Sequence, residues 1–382
     1  MTAAHPRTAI VHEWLDTVAG SEKVLEQMLL LFPGADLFAL VDVLPGVERA
    51  VLHGRCPATS FIQRLPLARK RFRGFAPLMP LAVEQFDLSQ YELVISNCHA
   101  FAKGVLTGPH QTHICYCHTP MRYAWDLQHE YLGASGLKGP RAWMARCLLH
   151  YLRMWDVRTA HGVDQFAANS TYVARRIQKV YGREASVVHP PVDTEYFQPG
   201  RLPRGEWYVT ASRLVPYKRI DLIVQAFASM PDRKLLVIGD GPQMDRCRKL
   251  ARENVVFAGH VPDSELRSSL QTARAFVFAA EEDFGIAPVE AQACGTPVLC
   301  YGRGGVLDTV IPGITGLFFS RQTPEAICDV VQRFEQCEFD PEAIRAHAEG
   351  FSTARFRMQF LSLVDRSLSD RQPAAMPRSL VG

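Results

Sequence analysis

Hydrophobic positions along this chain alternate between two periods. Apolar runs of four to six residues are separated by stretches whose apolar residues return every three or four positions, the pattern of strands joined by helices. In the first half the runs lie at 8–11, 36–41, 93–96, 112–117 and 165–168. The turn Ala19-Gly20-Ser21 leads into a helix over 22–32, where Val24, Met28 and Leu31 recur at helical spacing and Ser21 is the candidate N-cap. A longer helix over 141–159 carries Trp143, Cys147, Tyr151, Leu152 and Trp155 on one side, which reads as a face packed in the core or between domains. The second half repeats the alternation more cleanly, with strands expected at 207–211, 234–238, 255–258, 275–279, 297–300 and 316–319 and helices at 221–228 and 244–251. Between Tyr196 and Glu206 the periodicity stops, and Pro199, Gly200, Pro203 and Gly205 mark a linker. The pattern therefore predicts an α/β chain with a first domain over 1–198 and a second over 199–350, each a parallel sheet covered by helices on both faces. Residues 370–382, rich in Pro, Ala and Arg, predict a disordered tail.

Length agrees with two domains, since 382 residues exceed the usual single-domain range of roughly 100–200. The longest apolar run, near 24–31, is broken by Glu26 and Gln27, far short of the ~20 residues a membrane span needs. Met1 to Arg7 has no apolar core of the kind a signal peptide carries. Ten cysteines, among them Cys98, Cys294 and Cys300 in apolar stretches, read as buried thiols of a reducing cytosol rather than a disulfide framework. A net charge of +3 gives nucleic-acid binding little support, so no nucleic-acid partner is expected. One local cluster stands out: Arg64, Arg69, Lys70, Arg71 and Arg73, with Phe72 and Phe75 beside them. It reads either as a solvated face or as a patch that meets an anionic membrane.

Ligands of doubly wound sheets sit at the carboxyl ends of the strands, so the residues there decide the chemistry. After the 275–279 strand, Glu282 and Glu290 bracket Phe284-Gly285-Ile286, a turn entering a helix. A glycine there lets backbone approach a ligand, and the helix N-terminus beyond it suits phosphate. The plainer reading is an acidic, solvated loop. After the 207–211 strand, Arg213 and Lys218 can converge on a diphosphate, or pair with surface acids. Gly239-Asp240-Gly241 follows the 234–238 strand and suits a tight turn, with or without a ligand against it. His113, Cys115, Cys117 and His118 invite a zinc reading, but no second cysteine pair follows at finger spacing. His118, at the end of that strand, is a candidate to hydrogen-bond a sugar or move a proton, or else a structural histidine. No Asp-x-Asp occurs anywhere, so the usual carboxylate pair for a nucleotide-bound cation is missing and no metal cofactor is expected.

In order and spacing these segments closely resemble the family 4 retaining glycosyltransferases of the GT-B fold. The shared pattern comprises Ser-Arg-Leu-x3-Lys at 212–218, Gly-Asp-Gly-Pro at 239–242 and Gly-His-Val-Pro-Asp-x-Glu-Leu at 259–266. It continues with Glu-x7-Glu at 282–290, Gly-Thr-Pro-Val at 295–298 and Gly-Gly at 304–305. The resemblance implies two Rossmann-like domains facing across a cleft and a helix over 351–369 that crosses back to the first domain. It implies that Glu290 binds the ribose, that Glu282 and the Phe284-Gly285-Ile286 backbone hold the donor sugar, and that Arg213 and Lys218 neutralise the diphosphate. Gly20 would approach the phosphates, His118 the transferred sugar, and Val261 the base through its backbone, with Gly239 in the donor turn. Pro288 stands one residue later than in many relatives, where Pro follows the Gly-hydrophobic pair directly.

His12-Glu13-Trp14-Leu15, Ala19-Gly20-Ser21-Glu22-Lys23 and Tyr116-Cys117-His118-Thr119-Pro120-Met121-Arg122-Tyr123 resemble a narrower group, the bacterial O-antigen and exopolysaccharide mannosyltransferases. That likeness implies GDP-mannose as donor, a glycan or lipid-linked glycan as acceptor, and a cytoplasmic enzyme peripheral to the inner face of the membrane. Another nucleotide sugar such as a UDP-sugar, an epimerase of the same architecture, or a non-catalytic nucleotide-sugar-binding subunit are the rival readings. No carboxylate is placed as a nucleophile, which favours same-face displacement.

Overall fold

The computed structural model describes residues 6–134 and 136–370, so the tail expected at 370–382 lies outside the described residues apart from Asp370. The chain forms two units, Met1–His189 with Arg357–Gly382, and Pro190–Phe356. The first is built on seven strands: β1 Thr8–Leu15, β2 Asp36–Asp42, β3 Ala58–Thr59, β4 Leu93–Cys98, β5 Thr112–Cys117, β6 Gln165–Ala168 and β7 Ala185–Val187. All pair in parallel, in the order β3-β2-β1-β4-β5-β6-β7. Every residue of β4 and β5 is buried, as expected of strands with helices on both faces.

The second unit has six parallel strands, β8 Trp207–Ala211, β9 Lys234–Ile238, β10 Val255–Gly259, β11 Ala275–Phe278, β12 Val298–Tyr301 and β13 Gly316–Phe319. Their order is β10-β9-β8-β11-β12-β13. Both orders are those of a Rossmann sheet, with chain direction across the sheet reversing between β1 and β4 and between β8 and β11. The loops leaving these strands diverge, and each sheet has a crevice at that point.

Four details depart from the patterning. β3 and β7, of two and three residues, are too short to show a period. The helix expected at 22–32 spans Gly20–Leu31 with Ala19 as N-cap, and the cap is made by Glu22, whose Oε2 accepts the Ala19 N–H at 2.9 Å, not by Ser21. The Gly139–Ala160 helix buries Leu152 and Trp155 but leaves Trp143, Cys147 and Tyr151 exposed, so these five do not form one packed face. The chain enters its second unit at Pro190, ahead of the Pro/Gly-rich stretch, because Val192 and Phe197 are buried there and the Val192 N–H donates to Phe351 O at 3.0 Å.

The last helix, Thr353–Ser369, is grouped with the first unit from Arg357 onward. Phe360, Leu363 and Val364 are buried, Phe360 meets Tyr116 at 6.2 Å between ring centroids, and Arg357 Nε donates to Gln27 Oε1 at 2.7 Å.

Candidate functional site

In the second unit the crevice between β8 and β11 is lined by the loops that leave those strands. The loop after β8 carries Arg213, exposed, and ends in a 3₁₀ turn at Pro216–Lys218. The loop after β11 carries Glu282, whose carboxylate pairs with the Lys218 ammonium; each side chain is only 16% exposed. Lys218 Nζ also lies 5.9 Å from the centre of the Phe278 ring. The Glu282 loop is braced from behind by Gly304 and Gly305. The Gly305 N–H donates to Glu282 O at 2.8 Å, and a Cβ on Gly304, where φ is +79°, would stand 2.4 Å from that oxygen.

Gly239 braces the other loop in the same way. With φ at +118°, a Cβ there would lie 1.9 Å from Ser212 O, and Leu214 N–H donates to Asp240 O at 2.9 Å. The close approach that glycine permits at 239 is thus to the backbone that carries Arg213.

Gly285, φ +89°, is the N-cap of the helix Ile286–Ala293, and Pro288 is its third residue, where no intrahelical N–H is required. Phe284 is buried against Phe351, 5.8 Å between centroids, so only its backbone can meet a ligand. Glu290 is a buried carboxylate on the same helix, and half-buried Val261 follows β10. Arg213, Lys218, Gly239, Val261, Glu282, Phe284, Gly285, Ile286 and Glu290 therefore all belong to this unit.

Gly20 and His118 belong to the first unit, where a polar chain runs from His118 to Ser21 and Glu22, the residues that follow Gly20. His118, just past β5, is half-buried, and its Nε2 meets Asn97 Oδ1 at 2.7 Å. The Asn97 amide nitrogen reaches Ser21 O at 2.9 Å and His12 Nδ1 at 3.1 Å. His12 Nε2 in turn meets Glu22 Oε1 at 3.1 Å. Burial, then the neighbouring His99 and His12, push the His118 pKa down to about 3, so the ring is neutral at physiological pH. Burial alone would raise Glu22, but the hydrogen bond from His12, with the Ala19 N–H and Ser21, holds it down to about 2.

Beside this chain, fully buried Glu13 accepts from the N–H groups of His99, Ala100, Phe101 and Ala102 at 2.7–3.1 Å, fixing the turn that leaves β4. His12, Glu13 and Glu22 stand within the sequence motifs, whereas Asn97 lies outside all of them. The signal was present as polar residues inside strands that should be wholly apolar.

His113, Cys115 and Cys117 are buried, with His113 between Ser96 Oγ at 2.8 Å and Gly162 O at 3.2 Å. Among the described residues no group of three or more His, Cys, Asp or Glu side chains is placed to hold a metal.

Two surfaces of the first unit carry exposed cationic and apolar side chains. Arg64, Arg69, Lys70, Arg71 and Arg73 are all exposed, with Leu67 65% exposed among them; Arg73 pairs with Asp16 at 2.6 Å and covers the buried Phe72 ring. On the Gly139–Ala160 helix Trp143, Cys147, Tyr151 and Met154 follow one another at helical spacing along the solvent side, with Trp143 66% and Met154 56% exposed. The exposed charges of that helix are Arg141, Arg146 and Arg158, and it has no exposed carboxylate. No helix of the described residues is long and apolar enough to cross a membrane.

Comparison with known proteins places residues 43–196 in the family described as Glycosyltransferase Family 4 and residues 193–350 in Glycosyl transferases group 1. The chain is 30% identical over 204 residues to the GDP-mannose-dependent alpha-(1-6)-phosphatidylinositol monomannoside mannosyltransferase of Mycolicibacterium smegmatis, covering 46% of this chain and 53% of that protein. It is 28% identical over 285 residues to the D-inositol 3-phosphate glycosyltransferase of Mycobacterium bovis, covering 61% of this chain and 57% of that one. The matches thus span little more than half the length of these curated relatives. Among solved structures, HepE of Anabaena in complex with UDP-glucose superposes with a TM-score of 0.68 at 16% identity, over 95% of this chain and 100% of that one. Sucrose-phosphate synthase from Thermosynechococcus elongatus gives 0.67 at 18% identity, over 95% and 100%. At such identities the likeness is one of fold.

Proposed function

The chain belongs to the family 4 glycosyltransferases of the GT-B fold, and from that premise we propose that it moves mannose from GDP-mannose to a hydroxyl of a growing, polyprenyl-diphosphate-linked surface glycan, retaining the anomeric configuration. The observation that carries this reading is the Lys218–Glu282 pair in the loops that leave β8 and β11, with the Gly285-capped helix following the Glu282 loop in the chain. A departing nucleoside diphosphate needs positive charge where its oxygen leaves, and Lys218, Arg213 and the helix N-terminus can supply it without a metal ion. Glu282 is then a hydrogen-bond acceptor for hydroxyls of the sugar, and buried Glu290 one for the ribose. Val261 would meet the base through its backbone. Gly20 and His118 are the contacts the first unit would add.

Mannose and guanine are favoured by the motifs around His12 and His118 and by the mannosyltransferase relatives. A lipid-linked acceptor fits the exposed arginines and the apolar stripe from Trp143 to Met154, which suit the headgroup region of an anionic membrane.

Thermal-shift measurements with GDP and UDP test the donor, because a ligand bound only by the folded state raises the melting temperature. GDP should protect. Protection by UDP and not GDP would refute the donor. Transfer of labelled mannose to a lipid-linked acceptor should survive excess EDTA, and loss restored by magnesium or manganese would refute the metal-free reading.

A further inference from the structure

Asn97 lies on β4 in register with His12 on β1, and its side-chain amide touches three partners. Ser21 O is a carbonyl and can only accept, so the NH₂ end of the amide must face it at 2.9 Å. The carbonyl end, Oδ1, therefore faces His118 Nε2 at 2.7 Å and can only accept from it. The second N–H of Asn97 is left for His12 Nδ1 at 3.1 Å, which makes His12 Nε2–H the donor to Glu22 at 3.1 Å. One carbonyl of the main chain thus determines the proton positions along the whole chain from Glu22 to His118.

We propose that Asn97 is a positioning residue that holds His118 in its Nε2–H tautomer, leaving Nδ1 as the hydrogen-bond acceptor for a hydroxyl of the donor sugar. Among the described residues no hydrogen bond is made to His118 Nδ1. The depressed basicity of the ring keeps that lone pair free of a proton at physiological pH. The same amide fastens Ser21 O, in the first turn of the helix that begins at Gly20, so the two candidate donor contacts of this unit share one anchor. The inference rests on the donor-site reading of His118.

The test is histidine-selective ¹⁵N NMR on the whole protein, with the His118 ring assigned by His118→Gln. Free wild-type protein should show His118 as the Nε2–H tautomer. Asn97→Leu, which removes the acceptor at similar volume, should release the ring into a mixture of tautomers. It should also slow sugar transfer about tenfold, while GDP, which lacks the sugar, binds within about threefold of wild type. A merely structural Asn97 would leave the tautomer unchanged.

If Asn97→Leu does not fold, Asn97→Asp replaces it. A carboxylate there keeps the acceptor toward His118, gives up the N–H groups that meet Ser21 O and His12 Nδ1, and adds charge beside a ring that already faces His99, His12 and Glu22, so the His118 titration should move upward. An Nδ1–H tautomer in wild type, an unchanged tautomer in Asn97→Leu, or an unmoved titration in Asn97→Asp overturns the proposal. Failure of every nucleotide sugar to perturb the His118 resonances would instead overturn the donor reading, since the tautomer is measured on the free protein.

Discussion

Lys218 and Glu282 neutralise one another where little water reaches either group. Removing one partner leaves the other charged and poorly solvated, at a cost of roughly 3–5 kcal/mol for a fully buried pair and less here, where some solvent remains. Lys218→Ala should therefore lower the melting temperature as well as transfer. Lys218→Met combined with Glu282→Gln removes both charges and should recover most of the melting temperature while transfer stays lost. Recovery of both would show that neither residue handles the donor. The buried histidines set a second property. The His113 and His118 pKa values fall from 6.5 to about 4 and about 3, burial being the main cause for each. The unfolded chain then binds more protons than the folded one below the ordinary histidine value, so stability is fully present above pH 6.5 and declines as pH falls toward 4. Glu22, held at about 2, adds a loss in the same direction from its ordinary 4.5 downward. Melting temperatures between pH 7.5 and pH 4, chosen to bracket these values, should fall with acid, and His113→Asn should flatten the curve.

Loops in this protein are positioned by glycines that meet other loops. Gly239→Ala would drive a methyl into Ser212 O, 1.9 Å away, at a backbone angle that alanine avoids. The expected result is a loss of about 2–4 kcal/mol in stability together with weaker nucleotide protection, because the loop that moves carries Arg213. An unchanged melting temperature would show that the turn relaxes freely. The sequence made the elements of the second unit legible almost to the residue, as at β8, β9 and β13, because each buried strand is a short apolar run between turn residues. It made the strand-end residues legible too, since Arg213, Glu282 and His118 all follow apolar runs. It did not show that Gly239 serves a neighbouring loop, nor that Asn97 joins His12 to His118. Those are contacts across a sheet, between residues such as His12 and Asn97 that stand 85 apart in the chain and are matched only by strand register. The mistaken face of the Gly139–Ala160 helix has a different cause. Large apolar residues occur on both its buried and its solvent sides, so periodicity could not choose between them.

At the scale of the molecule, the proposed attachment to an anionic bilayer would use the aromatic and methionine stripe and the exposed arginines of the first unit. Each basic group near such a surface contributes about 1 kcal/mol, and salt screens it. The protein should sediment with anionic liposomes at low salt and less so at high salt. Trp143→Ser with Met154→Ser, or Arg69→Glu with Arg71→Glu, should weaken that binding. Equal binding to neutral liposomes, or none to anionic ones, would count against it. The last helix has a consequence in time rather than in space. The first unit takes its final segment from the far end of the chain, after the whole of Pro190–Phe356. On a ribosome, then, the unit that begins synthesis first is completed last. Until residues 357–370 emerge, the side of the first unit that Phe360, Leu363 and Val364 will cover stays open, while the second unit already has all of its own chain. A nascent protein halted with residue 356 just outside the ribosome and residue 357 onward still inside it should present a finished second unit and an unfinished first one, a state that limited proteolysis of stalled chains would separate by fragment size.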